Sequence, residues 1–168
     1  MTAASGELRA TLLALLPRLR RFARALTRDV HDADDLVQIA VERALTRADQ
    51  LRADAPVANW MFGIVRNAWL DEVRARGRRA ALFVAEDAAT PLADATQGGH
   101  ADALAVQQAL ARLPEEQRSA VALVLVEGLS YKEAAHVMEI PIGTLTSRLA
   151  RGREALQALL GEGVEEPR

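Results

Sequence analysis

Hydroxyl and guanidinium side chains recur in a short C-terminal stretch, at spacings that place them on one face of a helix. They are Thr146, Ser147, Arg148, Arg151 and Arg153. Serine and threonine hydroxyls donate hydrogen bonds to phosphates or base edges, and an arginine guanidinium pairs bidentately with guanine. The chemistry that this pattern predicts is recognition of DNA.

A helix that would precede this face has its own start and stop signals. Gly128 can end an earlier helix. Ser130 can cap the next helix through its hydroxyl, while the Glu133 carboxylate returns the capping hydrogen bond. These signals predict a helix from near Tyr131 to near Met138.

A second helix would follow after a tight turn. Pro141 disfavours helix in the residue before it but suits the first turn of a new helix, and Gly161 is a natural stop. The buried face of this helix would hold Leu145, Leu149, Leu156 and Leu160. Cap, turn and basic face in this order predict a helix-turn-helix, whose second helix enters the major groove. The alternative is an ordinary helical hairpin whose arginines are solvated.

The composition excludes several classes of protein. The 168 residues are 50% apolar and 4% aromatic, and their alanine and leucine favour an all-α fold. A formal net charge of -2 argues against a protein that coats nucleic acid indiscriminately. The sequence has no cysteine, and its three histidines form no ligand pair, so we expect neither a metal nor a cofactor. No apolar run reaches membrane-spanning length, which predicts a soluble intracellular protein.

Residues 80–103 divide the chain. This segment has no lysine or arginine, carries several acidic residues and contains both a proline and a glycine pair. It is longer than an ordinary loop inside a compact domain. The sequence therefore predicts two small helical domains, residues 1–79 and 104–161, joined by a flexible acidic linker and followed by a tail over residues 162–168.

Three helices are predicted in the N-terminal domain. The second begins after Asp32, which suits an N-cap, with Asp34 and Asp35 in its first turn. The third starts close to Pro56 and runs towards a basic end. The first carries an apolar stripe that repeats every three or four residues and consists of Leu8, Leu12, Leu15, Leu19, Phe22 and Leu26.

The third helix combines aromatic and basic side chains. Trp60, Phe62 and Trp69 share it with Arg66 and Asn67. Its basic end holds Arg74, Arg76, Arg78 and Arg79. Aromatic rings beside cations can bind unstacked bases. The alternative is that both tryptophans pack in the core and the arginines lie in solvent at a favourable helix C-terminus.

Three motifs together resemble a bacterial group IV sigma factor of the extracytoplasmic-function type. The sequence DADDLVQIAVERAL at 32–45 resembles that family's core-polymerase-binding helix. The sequence NWMFGIVRNAWLDEVRARGRR at 59–79 resembles its promoter-melting and minus-10 segment. Residues 113–156, from LPEEQ to GREAL, resemble its minus-35 domain. The resemblance covers nearly the whole chain.

The resemblance implies a polymerase-binding face on the second helix. Its members would be Asp34, Asp35, Gln38 and Glu42, which would meet the clamp helices of the largest polymerase subunit. An ordinary solvated acidic face would have the same pattern. Many family members carry an acid directly after the glutamine, where this chain has Ile39.

The resemblance also implies two DNA-contacting sets. For the minus-10 element they are Asn59, Trp60, Arg66 and Asn67, with a flipped base read by a loop over 48–55 and phosphates bound by Arg74, Arg76, Arg78 and Arg79. For the minus-35 element, Thr144, Thr146, Ser147, Ala150 and Arg151 would face the groove, with Arg148 and Arg153 near phosphates. Thr146 is often arginine in relatives, which predicts more reliance on DNA shape.

The function that the resemblance implies is not catalytic. The protein would bind core RNA polymerase, carry it to the minus-35 and minus-10 elements of promoter DNA and help to open the duplex, under the control of an anti-sigma factor. The sequence contains no nucleophile arrangement, carboxylate pair or phosphate loop that indicates an enzyme. Two alternatives are a sigma-like mimic that occupies an anti-sigma factor and a stand-alone helix-turn-helix regulator.

Overall fold

The computed structural model describes residues 3–82 and 101–161, and in these two ranges all regular structure is helical. A short 3₁₀ helix spans Ala48–Gln50, and a π-helical turn spans Ala122–Val126. The α-helices are α1 (Ala3–Leu26), α2 (Val30–Thr46), α3 (Val57–Leu82), α4 (Ala101–Ala111), α5 (Glu115–Val121), α6 (Tyr131–Met138) and α7 (Ile142–Gly161). The prediction of an all-α fold is confirmed. Most of the predicted linker lies outside the described residues.

Helices α1, α2 and α3 pack together and form the N-terminal half of the structure, residues 3–82. The stripe predicted on α1 faces this core, because Leu12, Leu19, Phe22 and Leu26 are buried. Phe22 meets Phe62 of α3 edge to face, with ring centroids 5.1 Å apart. Such a contact contributes about 0.5–1.5 kcal/mol beyond the buried area.

The start of α2 differs from the prediction. The N-cap is Asp29, whose carboxylate accepts a 2.7 Å hydrogen bond from the His31 amide, and the helix begins at Val30. A capping residue needs extended backbone, which Asp29 has with φ −124° and ψ 134°. Asp32 lies inside the first turn, and its carboxylate instead binds Arg76 of α3 at 3.0 Å. The prediction of Asp32 as the cap is therefore wrong.

The helix-turn-helix of the C-terminal half, residues 101–161, follows the predicted signals closely. Gly128 has a positive φ of 73°, and Ser130 and Glu133 form the complete capping box at the start of α6. Helix α6 spans Tyr131–Met138, as predicted. The turn that follows contains Glu139 in the left-handed region with φ 55°. Leu145 and Leu149 of α7 are buried, while Leu156 and Leu160 are half-buried.

The two halves pack against each other. Helix α1 contacts α4, α5 and the π-helical turn, and α3 contacts α6. Several polar groups cross the boundary, including a Trp69 Nε1 donor to Glu115 and an Arg21 donor to Glu127. The structure therefore gives the two predicted domains one defined mutual arrangement. No helix in the described part of the chain is long and apolar enough to cross a membrane.

Candidate nucleic-acid and polymerase interfaces

The N-terminal part of α7 presents the small polar face predicted for major-groove binding. Thr146, Ser147 and Ala150 are exposed, and Thr144 is half-buried. The Thr146 hydroxyl donates to the Ile142 carbonyl at 2.8 Å, which leaves its oxygen as an acceptor towards solvent. Burial of Leu145 and Leu149 fixes the rotation of α7, so this face points away from the protein.

The arginines of α7 fall into two groups. Arg151 and Arg153 are exposed. Arg148 is half-buried and forms an ion pair with Glu116 of α5 at 3.2 Å. The structure therefore leaves two of the three predicted cations available to DNA, while the third is engaged within the C-terminal half.

Three of the predicted minus-10 residues line a common cleft. Asn59, Trp60 and Asn67 of α3 face an open cleft of about 1170 Å³. Parts of the loop predicted to read a flipped base, including Gln50 and Arg52, form another wall. The cleft thus combines amide, indole and guanidinium groups, which can hydrogen-bond and stack with a nucleotide. Its far wall comes from α6 and the turn after it.

Arg66 lies apart from that cleft. It is only 9% exposed, and its Nε has no hydrogen-bond partner among the described residues. Burial lowers the pKa of its guanidinium, an effect that the charges of Glu115 and Glu116 oppose. All the charges that shift this pKa belong to the C-terminal half, so Arg66 lies buried near the contact between the two halves.

The predicted phosphate-binding arginines at the end of α3 are exposed, and most form ion pairs. Arg74 pairs with Asp71 at 3.8 Å, and Arg79 pairs with Glu72 at 3.2 Å. Arg76 binds Asp32 and Glu72, which raise its pKa through hydrogen bonds. Arg78 is exposed as well.

The two tryptophans of α3 have different surroundings. The Arg76 guanidinium lies over the Trp69 ring, 5.8 Å from its centroid. Trp69 is buried and Trp60 is half-buried at the cleft. The core-packing interpretation therefore holds for Trp69, whereas Trp60 is partly accessible from the cleft.

The polar residues predicted to bind polymerase share the outer face of α2. Asp34, Asp35, Gln38 and Glu42 are all exposed, and the Gln38 side chain donates to Glu42 at 3.5 Å. Ile39 is 40% exposed on the same helix. Beside them a shallow groove between α1 and α2 contains Leu16, Arg20, Val37 and Val41. The face thus combines negative charge with apolar surface.

The sequence interpretation missed the polar residues that join the two halves. Glu127 is the acidic end of an apolar run, and its side chain has 0% exposure in the structure. Arg118 donates to the carbonyl groups of Leu110, Ala111, Leu113 and Leu26. A charged residue closing an apolar run is the signal that could have identified Glu127, because such a residue is buried only with a partner.

Two family models match the chain in the same order as the two halves. Sigma-70 region 2 matches residues 12–79, and Sigma-70 region 4 matches residues 103–156. The ECF RNA polymerase sigma factor EcfG of Rhodopseudomonas palustris is 37% identical over 156 residues, which are 93% of this chain and 86% of the relative. The ECF sigma factor SigM of Mycobacterium tuberculosis is 42% identical over 144 residues, 86% of this chain and 72% of the relative.

Solved structures have the same architecture. The sigma factor RpoE of Bartonella quintana, crystallised with the anti-sigma factor NepR, matches with a TM-score of 0.79 and 34% identity, over 95% of this chain and 99% of RpoE. CnrH, solved with the cytosolic domain of CnrY, matches in fold with a TM-score of 0.65 and 23% identity, over 96% and 94% of the two chains. With regions 2 and 4 in order and relatives matched over most of their length, the chain belongs to the ECF family of sigma-70 RNA polymerase sigma factors, which are transcription initiation factors and not enzymes.

Proposed function

We propose that this chain binds core RNA polymerase in the bacterial cytoplasm and directs it to promoters that carry minus-35 and minus-10 elements. The observation that carries the proposal is the pairing of an exposed helix-turn-helix face on α7 with an open polar cleft along α3 in one chain of the sigma family. A stand-alone helix-turn-helix regulator would need only the first of these features.

The minus-35 element would be read by the exposed start of α7. The Ser147 hydroxyl and the Arg151 guanidinium can donate to base edges, the Thr146 hydroxyl can accept, and Ala150 leaves room for a thymine methyl group. Arg153 would bind a phosphate, and Arg148 would do so after leaving Glu116. Thr144 at the helix start would contact the backbone near the groove edge.

The minus-10 element would be bound along α3 and the segment before it. Asn67, which is exposed in the cleft, is the best candidate for hydrogen bonds to a flipped base, and Trp60 offers a ring for stacking. Asn59 and Arg66 would complete this set once Arg66 is accessible. The arginines at the end of α3 would exchange their carboxylate partners for phosphates.

Polymerase would be bound through the outer face of α2. The exposed carboxylates of Asp34, Asp35 and Glu42 favour a partner surface with positive charge, and Gln38 adds a hydrogen-bonding amide. The apolar groove beside them supplies area for an inserted side chain. Ile39 replaces the acid common in the family, so this contact would rely more on apolar burial.

The division into domains and the regulation are part of the same proposal. We assign the polymerase and minus-10 functions to residues 1–79 and the minus-35 function to 104–161, with 80–103 as linker and 162–168 as tail. The likeness to RpoE, which was crystallised with the anti-sigma factor NepR, supports control of this chain by an anti-sigma factor. Such a partner would be recovered with the chain as a stable complex and would block transcription in the assay below.

In-vitro transcription with purified core RNA polymerase and a pool of genomic promoter fragments tests the proposal. Start sites are mapped with and without the protein. We expect new starts that share two spaced sequence elements. Core binding without initiation would instead indicate a mimic, and failure to bind core would indicate a stand-alone regulator.

Two variants separate the assigned faces. The double substitution Asp34→Asn with Asp35→Asn should weaken core binding and leave binding to a minus-35 duplex unchanged. Arg151→Ala should do the reverse. Loss of both activities in either variant, with helical content retained, would contradict the assignment of the two faces.

A further inference from the structure

Glu127 belongs to the C-terminal half and lies at its contact with α1 of the N-terminal half. Its carboxylate, with 0% side-chain exposure, accepts hydrogen bonds from Arg21 Nε at 3.0 Å and Arg21 Nη2 at 2.7 Å. Arg18 lies 3.8 Å from the same carboxylate. Both arginines belong to α1, so these ion pairs of Glu127 cross the boundary. These contacts exist only while the halves touch, so they favour closure by the amount that their attraction exceeds the cost of removing the carboxylate from water.

Glu115 forms a second crossing point at the start of α5. Its carboxylate accepts a 2.9 Å hydrogen bond from the Trp69 indole of α3 and a 3.2 Å hydrogen bond from Arg118. Arg118 itself donates across the boundary to the Leu26 carbonyl at 3.0 Å. Glu115 therefore links α3, the helix with the proposed minus-10 residues, to the C-terminal half.

The closed contact covers groups that belong to the proposed DNA-binding set. Arg66 is nine-tenths buried with an unpartnered Nε, and the cleft that holds Asn67 is walled on its far side by α6. A buried guanidinium donor without a partner destabilises the state that buries it. Phosphate binding after the halves separate would satisfy that donor.

We propose that Glu115 and Glu127 form an ionic latch that holds the two halves closed in the free protein and withholds Arg66 from DNA. Opening of the latch would replace the partners of these carboxylates in the other half with water, expose Arg66 and widen the open cleft for a single strand. The masking of Arg66 rests on the proposed minus-10 function, whereas the latch itself does not.

A distance measurement tests the latch without DNA. The natural chain has no cysteine, so Ala53→Cys and Gln157→Cys, both at exposed positions in different halves, provide a clean pair of sites for fluorescence energy transfer. We expect high transfer at about 0.05 M salt and only a small decrease at about 0.5 M, because salt screens a buried ion pair much less than an exposed one. Glu115→Gln with Glu127→Gln should lower the transfer already at low salt.

Two controls accompany the distance measurement. Glu154→Gln removes one negative charge from an exposed position of α7 and should leave the transfer unchanged. Arg21→Gln removes the opposite partner of Glu127 and should open the latch similarly, with a combined Arg21 and Glu127 variant opening it no further. Unchanged transfer in the Glu115 and Glu127 double variant, at wild-type helical content by circular dichroism, would overturn the latch.

Binding of short random-sequence single-stranded oligonucleotides tests the masking. If about one molecule in ten is open, full opening raises the apparent affinity about ten-fold. We expect such a gain in the double variant and not in Glu154→Gln. Adding Arg66→Gln should remove most of the gain. A fall in transfer with no gain in affinity would overturn the masking, and a gain that survives Arg66→Gln would refute the role of Arg66 while the latch stands.

Discussion

Gly152 of α7 lies against Val121 of α5, where the two helices cross. A Cβ atom added to Gly152 would stand 2.7 Å from Val121 Cγ2 and 3.4 Å from the Gln117 carbonyl oxygen. The first separation is far shorter than van der Waals contact allows, and the second is at the near limit of ordinary contact. This close approach sets the position of α7 relative to α5, and with it the direction in which the DNA-reading face points.

Substitution of Gly152 by alanine should therefore destabilise the C-terminal half. We expect Gly152→Ala to lower the free energy of unfolding in urea by about 1–3 kcal/mol, because overpacking forces side chains or helices to shift. Gly143→Ala in the same helix is the control, since a Cβ there meets nothing within 4 Å. Equal stability of the two variants would contradict the crossing geometry.

The capping box of α6 provides a second prediction. Ser130 Oγ accepts from the Glu133 amide at 3.1 Å, and the Glu133 carboxylate accepts from the Ser130 amide at 2.9 Å. Ser130→Ala should lower the free energy of unfolding by about 1 kcal/mol. Ser147→Ala, an exposed serine of α7, should leave the urea midpoint unchanged and weaken binding of a minus-35 duplex. The opposite pattern would show that these two serines have been assigned the wrong roles.

Local signals predicted much of the helix-turn-helix. Capping boxes, positive-φ glycines and proline stops act within a few residues, so they can be recognised in a sequence without knowledge of the fold. The predicted start of α2 was wrong because two aspartates, Asp29 and Asp32, both suit an N-cap. Only the backbone conformation, together with Arg76 on a distant helix, distinguishes them.

The contact between the halves could not be predicted from such signals. Arg21 and Glu127 are 106 residues apart, and nothing in either local sequence specifies the other. Helix α3 packs against helices of both halves, so it buries residues on several faces, including Phe62, Ile64 and Arg66. A helix buried on more than one side loses a clear apolar stripe. For that reason the burial of Arg66 was not apparent from its position.

Arg118 leads to a third prediction. Its guanidinium donates to four backbone carbonyls and to Glu115, a set that the three donors of a lysine cannot satisfy. Arg118→Lys should lower the free energy of unfolding by about 2–4 kcal/mol, since at least two of these five acceptors lose their partner. Arg112→Lys, at an exposed position one residue after α4, is the matched control. We expect no comparable loss of stability in this control.

Arg151 separates DNA reading from polymerase binding. Its side chain is exposed on α7, and the described structure gives it no ion pair, so its removal should not affect folding. If Arg151 binds a base edge, Arg151→Ala should weaken binding to a minus-35 duplex by about 1–3 kcal/mol and relax the preference at one base pair. If it binds a phosphate, the loss should be uniform across sequences, with a shallower salt dependence. Titration of promoter variants at two salt concentrations distinguishes these outcomes.

The control for this prediction must remove the same charge away from the proposed DNA face. Arg112→Ala does so, because Arg112 is exposed immediately after α4. Arg151→Ala and Arg112→Ala should pull down core polymerase as well as the natural chain does, since polymerase binding is assigned to α2. A minus-35 duplex bound equally well by Arg151→Ala and the natural chain would remove Arg151 from the DNA-reading set and shift the recognition to the hydroxyl groups of Thr146 and Ser147.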